Sequence, residues 1–463
     1  MIHLILVSVG YMSMFVHDIR IKRNWFARED PRKQMILRIN STVKKRNNHY
    51  HGSAAVLYTF EKDHWIKTRG DLSVQFSAEI DSPLFLDVYY IKGILQPIPE
   101  SKNPSFDYRK YMALKNIFYQ CRISSAAVFK IEEGKKAISF HRFTEGLRLK
   151  ILAVIDRYIA GPLENGLSKA LLIGYRDGLD RDIISSYTNT GVIHVIAISG
   201  LHLGLIYALL AYCFKFLRKG LNTYRSVIIA AILWNFSILC GASPSVMRSA
   251  LMFTCLLAGE SLQKENYTAN ALAASAFILL CADPNLLWDI GFQLSYAAVG
   301  SLLIYNRWVS SLYNSSNIII NFAWNSVSTS IAAQILTTPL ILFYFHQFPV
   351  LFLLANLIAV PLSGILLVLL ILLCIIAPFP ILATPIATIT SWLASLMNLQ
   401  INRLNRISFA VISKISFNLA DAILCYACIF TASLFIISKK PAAALALLSV
   451  VLLWLVISAS LRK

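Results

Sequence analysis

PVLFLLANLIAVPLSGILLVLLILLCIIA occupies positions 349–377 and carries no charged side chain. An apolar run of about 18 residues or more is long enough to cross the hydrocarbon core of a bilayer as a helix. This run is longer, and it holds Pro361 and Gly364, so the expectation is a helix broken near its middle. Working outward, further apolar runs lie at 193–214, 226–241, 247–259, 268–282, 287–305, 326–345, 384–401, 417–437 and 441–459. Together they predict a polytopic α-helical membrane protein of about ten spans, with 247–259 short enough to re-enter rather than cross.

Composition agrees. Of the 463 residues, 57% are apolar and 14% charged, with a mean hydropathy of +0.60. Soluble globular chains hold roughly 45–50% apolar and about 25% charged residues. A disordered chain, a coiled coil and a small secreted scaffold are excluded. The net charge of +19 suits anionic partners, either nucleic acid or anionic membrane lipid. Residues 1–17 carry no Asp, Glu, Lys or Arg, residues 18–190 carry a net +10, and residues 191–463 hold only 5 acidic side chains. A basic polar segment therefore precedes a charge-poor one. Seven of the eight cysteines lie in the apolar part, leaving Cys121 alone in the polar segment, which excludes an internal disulfide there. Cys425 and Cys428 read as two small apolar residues of a helix, and no metal or other cofactor is implied.

The chain divides into four parts. Residues 1–17 are an apolar segment, read as a truncated transmembrane helix; a signal peptide competes, but no basic residues precede the run. Residues 30–135 hold five short β-rich stretches, at 34–40, 54–60, 71–77, 88–95 and 125–131. Five strands in a basic segment predict a small β-barrel, OB-like, with an unspecified sandwich as the alternative. Residues 140–190 change to helical spacing and read as an amphipathic helical linker. Residues 191–463 form the membrane region. Lys215, Arg218, Lys219 and Arg225 cluster between the first two runs and place that loop in the cytoplasm, so the β domain is expected outside. Lys439 and Lys440 agree with this count of spans, whereas Arg403, Arg406 and Lys414 do not.

Polar groups at membrane depth are costly and by default suggest function. In GVIHVIAISGLHLG (191–204) these are His194, Ser199 and His202. Three readings stand: a pathway or gate, hydrogen bonding between helices, and a hydrolase with Ser199 as nucleophile and His202 as base. In GASPSVMRSALMF (241–253) Arg248 either snorkels to the interface or faces a polyanion. In DPNLLWDIGFQLSYAAVG (283–300) Asp289 and Gln293 stand four apart, on one helix face, with Asp289 also readable as a cap. In QILTTPLILFYFHQFPVLFLLANLIAVPL (334–362) prolines interrupt helix around Gln334, His346 and Asn356. Lys44, Lys45, Arg46, His49, Tyr50 and His51 form a basic, aromatic loop, suited to a single nucleic-acid strand or merely solvated.

The runs GVIHVIAISGLHLGLIYALL, GASPSVMRSALMF, DIGFQLSYAAVG and TTPLILFYFHQFPVLFLLANLIAVPL, in that order, strongly resemble the ComEC family of bacterial competence proteins. Residues 103–117 and 170–190 resemble the end of that family's OB-like domain and the start of its membrane region, and the resemblance covers about residues 30–437. It implies a multi-pass channel of the bacterial inner membrane, with an extracytoplasmic OB-like domain that helps bind DNA. Such a channel passes single-stranded DNA into the cytoplasm during natural transformation, alongside other DNA-uptake proteins and as a homo-oligomer. Many family members carry a C-terminal metallo-β-lactamase-like domain, and its metal motif is not found in residues 1–463. The resemblance then implies a separate nuclease and no enzymatic role here. On this reading His194, Ser199, His202, Arg248, Asp289, Gln293 and Asn356 face the path or its gate, and Lys44, Lys45, Arg46, His49 and Tyr50 bind DNA. An intramembrane hydrolase, a small-solute transporter and a structural anchor are the alternatives.

Overall fold

The computed structural model describes residues 2–27, 32–41, 43–46, 49–61, 63–77, 80, 87–100, 107–124, 128–131, 139–176, 178–216, 222–261 and 268–461. They fall into two compact units, Met1–Arg142 with Phe277–Asp289, and Phe143–Ala276 with Ile290–Lys463.

The first unit opens with helix α1 (Ile2–His17) and is built on strands β1 (Arg32–Ile39), β2 (Lys44–Arg46), β3 (His49–Glu61), β4 (His64–Lys67), β5 (Asp71–Ser77), β6 (Val88–Ile94) and β7 (Gln96–Pro97). Helix α2 (Tyr108–Leu114) and strands β8 (Tyr119–Ile123) and β9 (Val128–Ile131) complete it. The strands pair in the order β7-β8-β5-β3-β1-β6-β9, with β2 and β4 also on β3. Every pairing is antiparallel except β5 with β8. Strand side chains alternate between faces, and here one face supplies the core: Met35, Leu37 and Ile39 of β1, Leu72, Val74 and Phe76 of β5, Cys121 and Ile123 of β8. The five anticipated strands are present, although residues 125–127 of the last lie outside the described residues. The barrel is not confirmed. The described pairings end at β7 and β9, which do not meet. β7 is two residues long and its Pro97 has no N–H to offer a further neighbour.

The second unit is helical. It comprises α3 (Ser139–Tyr158), whose first turn belongs to the other unit, α4 (Pro162–Ile173), α5 (Arg181–Asn189), α6 (Ile193–Ile196), α7 (Gly200–Cys213), α8 (Asn222–Leu239), α9 (Pro244–Ser261) and α10 (Thr268–Ala282), which ends in the first unit. There follow α11 (Ile290–Ser310), α12 (Ile318–Phe345), β10 (Phe348–Pro349), α13 (Phe352–Ile376), α14 (Pro380–Asn405), β11 (Val411–Ile412), α15 (Leu419–Ser438) and α16 (Pro441–Leu461). Its core joins Leu167, Ala170 and Leu171 of α4 to Ala355, Ala359 and Leu366 of α13 and to Ala383, Ala387 and Ala394 of α14. Alanines one turn apart bring backbones close, as in packed membrane helices. The stretch 140–190, read as a linker, contributes Ile155, Leu167 and Tyr187 among others to this core.

Four helices among the described residues are long and apolar enough to cross a membrane: α12, α13, α14 and α15. Four shorter apolar helices lie at Gly200–Cys213, Thr223–Leu239, Thr268–Ala282 and Pro441–Trp454. The chain is thus of membrane type, and the count of about ten spans is not confirmed. The break expected in 349–377 does not occur, because α13 continues through Pro361. A proline removes one N–H, whereas a true break in an apolar bundle would leave several backbone groups without partners. Likewise 247–259 is part of the continuous helix α9.

α12 is continuous as well, and α11 touches it at one rung. The Ser301 hydroxyl of α11 donates to the Ala332 carbonyl and accepts from the Leu336 amide at 3.2 Å. Those two groups are an i, i+4 pair, so the hydroxyl bonds both ends of one rung of the helical ladder. Tyr426 donates to the next carbonyl partner, Leu336, at 2.8 Å, three residues before Pro339.

Candidate functional site

The site starts where α6 gives way to α7. Ala197 is extended and Ser199 is the N-cap of α7. Ser199 does not share a helix face with His202, as their spacing suggested, but precedes the helix. The Ser199 N–H donates to His202 Nδ1 at 3.1 Å, and its hydroxyl lies 3.0 Å from the same nitrogen. The imidazole thus takes the part that a Glu or Gln plays in a capping box. With Nδ1 accepting from an amide, a neutral ring carries its proton on Nε2. That nitrogen is buried and has no hydrogen-bond partner among the described residues, in a side chain that is 3% exposed.

Gly200 follows directly. A Cβ on it would lie 2.6 Å from Arg248 Nη2 and 2.7 Å from Ser249 Oγ. Arg248, on α9, is 4% exposed. Its Nε donates to Ser295 Oγ of α11 at 2.6 Å, its Nη2 to Ser249 Oγ at 3.0 Å, and its Nη1 faces the Met252 sulfur at 3.7 Å. Ser295 in turn bonds Ser245 Oγ at 3.3 Å. The guanidinium also lies 5.8 Å from the centre of the Tyr296 ring, within cation–π reach. Among the described residues no carboxylate pairs with Arg248. A buried cation normally has an anionic partner; this one is held by hydroxyls, a sulfur and a ring. The snorkelling account of Arg248 does not fit a side chain so enclosed.

Of the remaining anticipated residues, His194 lies within electrostatic reach of His202. His194, on α6, keeps exposed surface while Val195 and Ile196 beside it are buried. Gln293 of α11 accepts from the Tyr344 hydroxyl of α12 at 2.8 Å. Asn356 of α13 has a buried Oδ1 without a hydrogen bond among the described residues. Asp289 does not share a helix with Gln293, because it closes the 3₁₀ turn Pro284–Trp288 in extended conformation before α11 begins. It falls in the first unit. There, Lys44, Lys45 and Arg46 form strand β2 rather than a loop, in register with His51, Tyr50 and His49 of β3. Tyr50 packs against the β core.

Sequence reading missed the hydroxyl partners Ser245 and Ser249. It also missed the polar seam between α5 and α14. In that seam Tyr187, fully buried, donates to Asn398 Oδ1 at 2.9 Å, and Asn189 bonds Asn405, which bonds Ser186.

The competence protein family matches residues 171–458, which span all of these membrane-unit groups. The chain belongs to the ComEC family of competence proteins. It is 28% identical over 308 residues to ComE operon protein 3 of Bacillus subtilis, covering 65% of this chain and 37% of that protein. It is 31% identical over 245 residues to Recombination protein 2 of Haemophilus influenzae, covering 49% of this chain and 30% of that one. The chain thus spans about a third of the length of these curated relatives. No solved structure matches it. Within the ComEC family match, Ser199, Gly200, His202, Arg248 and Ser295 form one contiguous site, and Gln293 stands two residues before Ser295 on α11.

Proposed function

We propose that this chain is a channel component of the bacterial inner membrane that passes single-stranded DNA into the cytoplasm during natural transformation. The observation that carries this reading is Arg248, a buried cation with no carboxylate, set in hydroxyls within the competence-family region. Hydroxyl partners leave the positive charge uncompensated. A phosphate passing close by would find both a charge and polar groups, and would be free to leave again, as conduction requires. His202 and Gly200 fix the neighbouring backbone, one by capping it and one by making room for the guanidinium. About ten spans, counting the shorter helices and the long α11, would enclose the path. The β unit would stand on the extracytoplasmic side as an OB-like module, and other uptake proteins, a separate nuclease and further copies of the chain would be its partners.

Passage is favoured over hydrolysis. A serine hydrolase needs its histidine turned by a third group so that the free nitrogen takes the serine proton. Here the nitrogen nearest Ser199 is already engaged by a backbone amide.

The test is import of fluorescent DNA into a deletion strain complemented with the wild-type chain, Arg248→Gln or Arg248→Lys at equal membrane levels. A loss of tenfold or more with Gln, and partial retention with Lys, is the expected result. Undiminished import with Gln would overturn the reading.

A further inference from the structure

Aromatic rings from four strands meet on the outer face of the β unit, and register puts them there. Ile36 of β1 stands between Tyr58 of β3 and Tyr90 of β6. Tyr58 also faces Lys67 of β4, and Tyr90 faces Phe129 of β9. In the next row Gln34 of β1 stands between Phe60 of β3 and Lys92 of β6, and Phe60 faces Trp65 of β4. Directly opposed residues of a sheet share a face. Since Met35 and Leu37 occupy the core face, both rows lie on the other one. The rings touch in sequence: the centres of Phe60 and Trp65 are 5.3 Å apart, those of Trp65 and Tyr90 6.1 Å, and those of Tyr90 and Phe129 6.1 Å. Phe129 is 64% exposed and Trp65 41%. Contiguous exposed apolar surface of this kind marks an interaction site.

The patch stands at the end of the sheet where two apolar helices join the unit. Just past β4, the Arg69 amide donates to the Asn24 carbonyl at 2.8 Å, and the Arg69 carbonyl accepts from the Phe26 amide at 3.3 Å. That segment follows the apolar helix α1, which ends at His17. His17 lies 3.4 Å from Asp283, the residue directly after the apolar helix α10. Chemistry points the same way. Trp and Tyr concentrate where hydrocarbon meets headgroups, and lysines beside them reach anionic lipid. Lys67 and Lys92 are exposed and make no ion pair among the described residues. A nucleic-acid strand fits less well, because bases stack on free ring faces. Here Phe60 meets Trp65, and Trp65 meets Tyr90, edge to face at 62° and 75°, so neighbouring edges occupy those faces. A second copy packed here through a two-fold axis would bring the same two lysines against each other.

We infer that this face, formed by β4, β3, β1, β6 and β9, rests on the anionic surface of the bilayer that holds the chain's own apolar helices. Phe129 and Trp65 enter the headgroup layer, and Lys67 and Lys92 pair with lipid phosphate. The inference needs the membrane helices alone and is independent of DNA passage.

The experiment places the photoreactive residue p-benzoylphenylalanine at position 129 of the full chain, a conservative change at an exposed ring. The chain is held in nanodiscs of phosphatidylcholine, with or without phosphatidylglycerol, and lipid adducts are read by mass spectrometry after irradiation. The comparison position is His49, exposed at the far end of β3 and roughly 30 Å along the strand from Tyr58. Interfacial segments sink only about 5–10 Å into the headgroup boundary, so lipid adducts should form at position 129 severalfold more than at position 49. Phosphatidylglycerol should raise the yield at position 129, and Lys67→Gln with Lys92→Gln should remove that gain. Circular dichroism of each variant checks the sheet. Equal yields at positions 129 and 49, or no lipid adduct at 129, would overturn the surface. So would a cross-linked dimer in place of the lipid adduct, which would assign the patch to a second copy, or loss of the adduct on adding a dT oligonucleotide, which would assign it to nucleic acid. A gain with phosphatidylglycerol that survives both lysine substitutions would overturn the role of the lysines.

Discussion

Gly200 and Arg248 share one space: a methyl group at position 200 would lie 2.6 Å from the guanidinium Nη2. The end of an arginine can move, but this one is buried and tied to Ser249 and Ser295. Gly200→Ala should therefore push Arg248 off at least one hydroxyl. DNA import by that variant should fall severalfold while the protein remains in the membrane. A rescue by Ser249→Gly in the same chain, which frees room beside Nη2, would locate the effect at this contact. Import equal to wild type in Gly200→Ala would show that Arg248 relaxes without consequence.

Tyr187→Phe should cost about 1–3 kcal/mol, the usual penalty for leaving a buried polar group unsatisfied. The Tyr187 hydroxyl is the partner of Asn398 Oδ1, and Asn398 Nδ2 is already without one. Thermal unfolding in detergent should show a lower midpoint. Adding Asn398→Leu to Tyr187→Phe should recover part of the loss, since both partners are then apolar.

Ser301→Ala should leave the Ala332 carbonyl and the Leu336 amide to bond only each other, tightening that rung of α12. Hydrogen exchange at the Leu336 amide should slow. Ser301 has no exposed surface, so Ser301→Val should overpack the same place and destabilise by about 1–3 kcal/mol. Faster exchange in Ser301→Ala would contradict the tightening.

Cys121 provides a pH test of the β unit. Burial pushes its thiol up to about 11 from an ordinary value of 9.0. The thiolate is the reactive form, so alkylation at pH 8 should be very slow in the folded chain and rapid once urea exposes the residue. The folded state favours the protonated thiol. Its contribution to stability is therefore complete below pH 9 and is lost as pH rises toward 11. Urea midpoints of the β unit should fall across that window, and Cys121→Ser should change the dependence. A midpoint flat from pH 8 to 11 would refute it.

The strands read from sequence were those with clean two-residue alternation, such as Leu72, Val74 and Phe76 of β5. β2 (KKR), β4 (HWIK) and β8 (YQCRI) escaped because short polar stretches become strands only when a neighbour's ladder is present. Helical runs were legible from hydropathy, but their lengths were set by caps that hydropathy does not register, such as Ser199 before α7. At the site, Ser199, His202 and Arg248 stood out as polar residues in apolar sequence. Their partners could not, because Ser295 is 47 residues from Arg248 and a serine on an apolar helix has no distinguishing pattern. Asp289 and Gln293 were misjoined because helical spacing was carried across a 3₁₀ turn that ends in extended backbone.

The first unit is not one stretch of chain. Residues Phe277–Asp289 belong to it, and within it His17 Nε2 lies 3.4 Å from an Asp283 oxygen. The 134 residues Phe143–Ala276, including most of α3 through α10, are synthesised between its two pieces. At about 5–20 residues per second, the β unit waits about 7–27 seconds for its last segment. Its assembly is thereby tied to the placement of the intervening helices, and a β unit cut off at residue 142 would be made without its own final part.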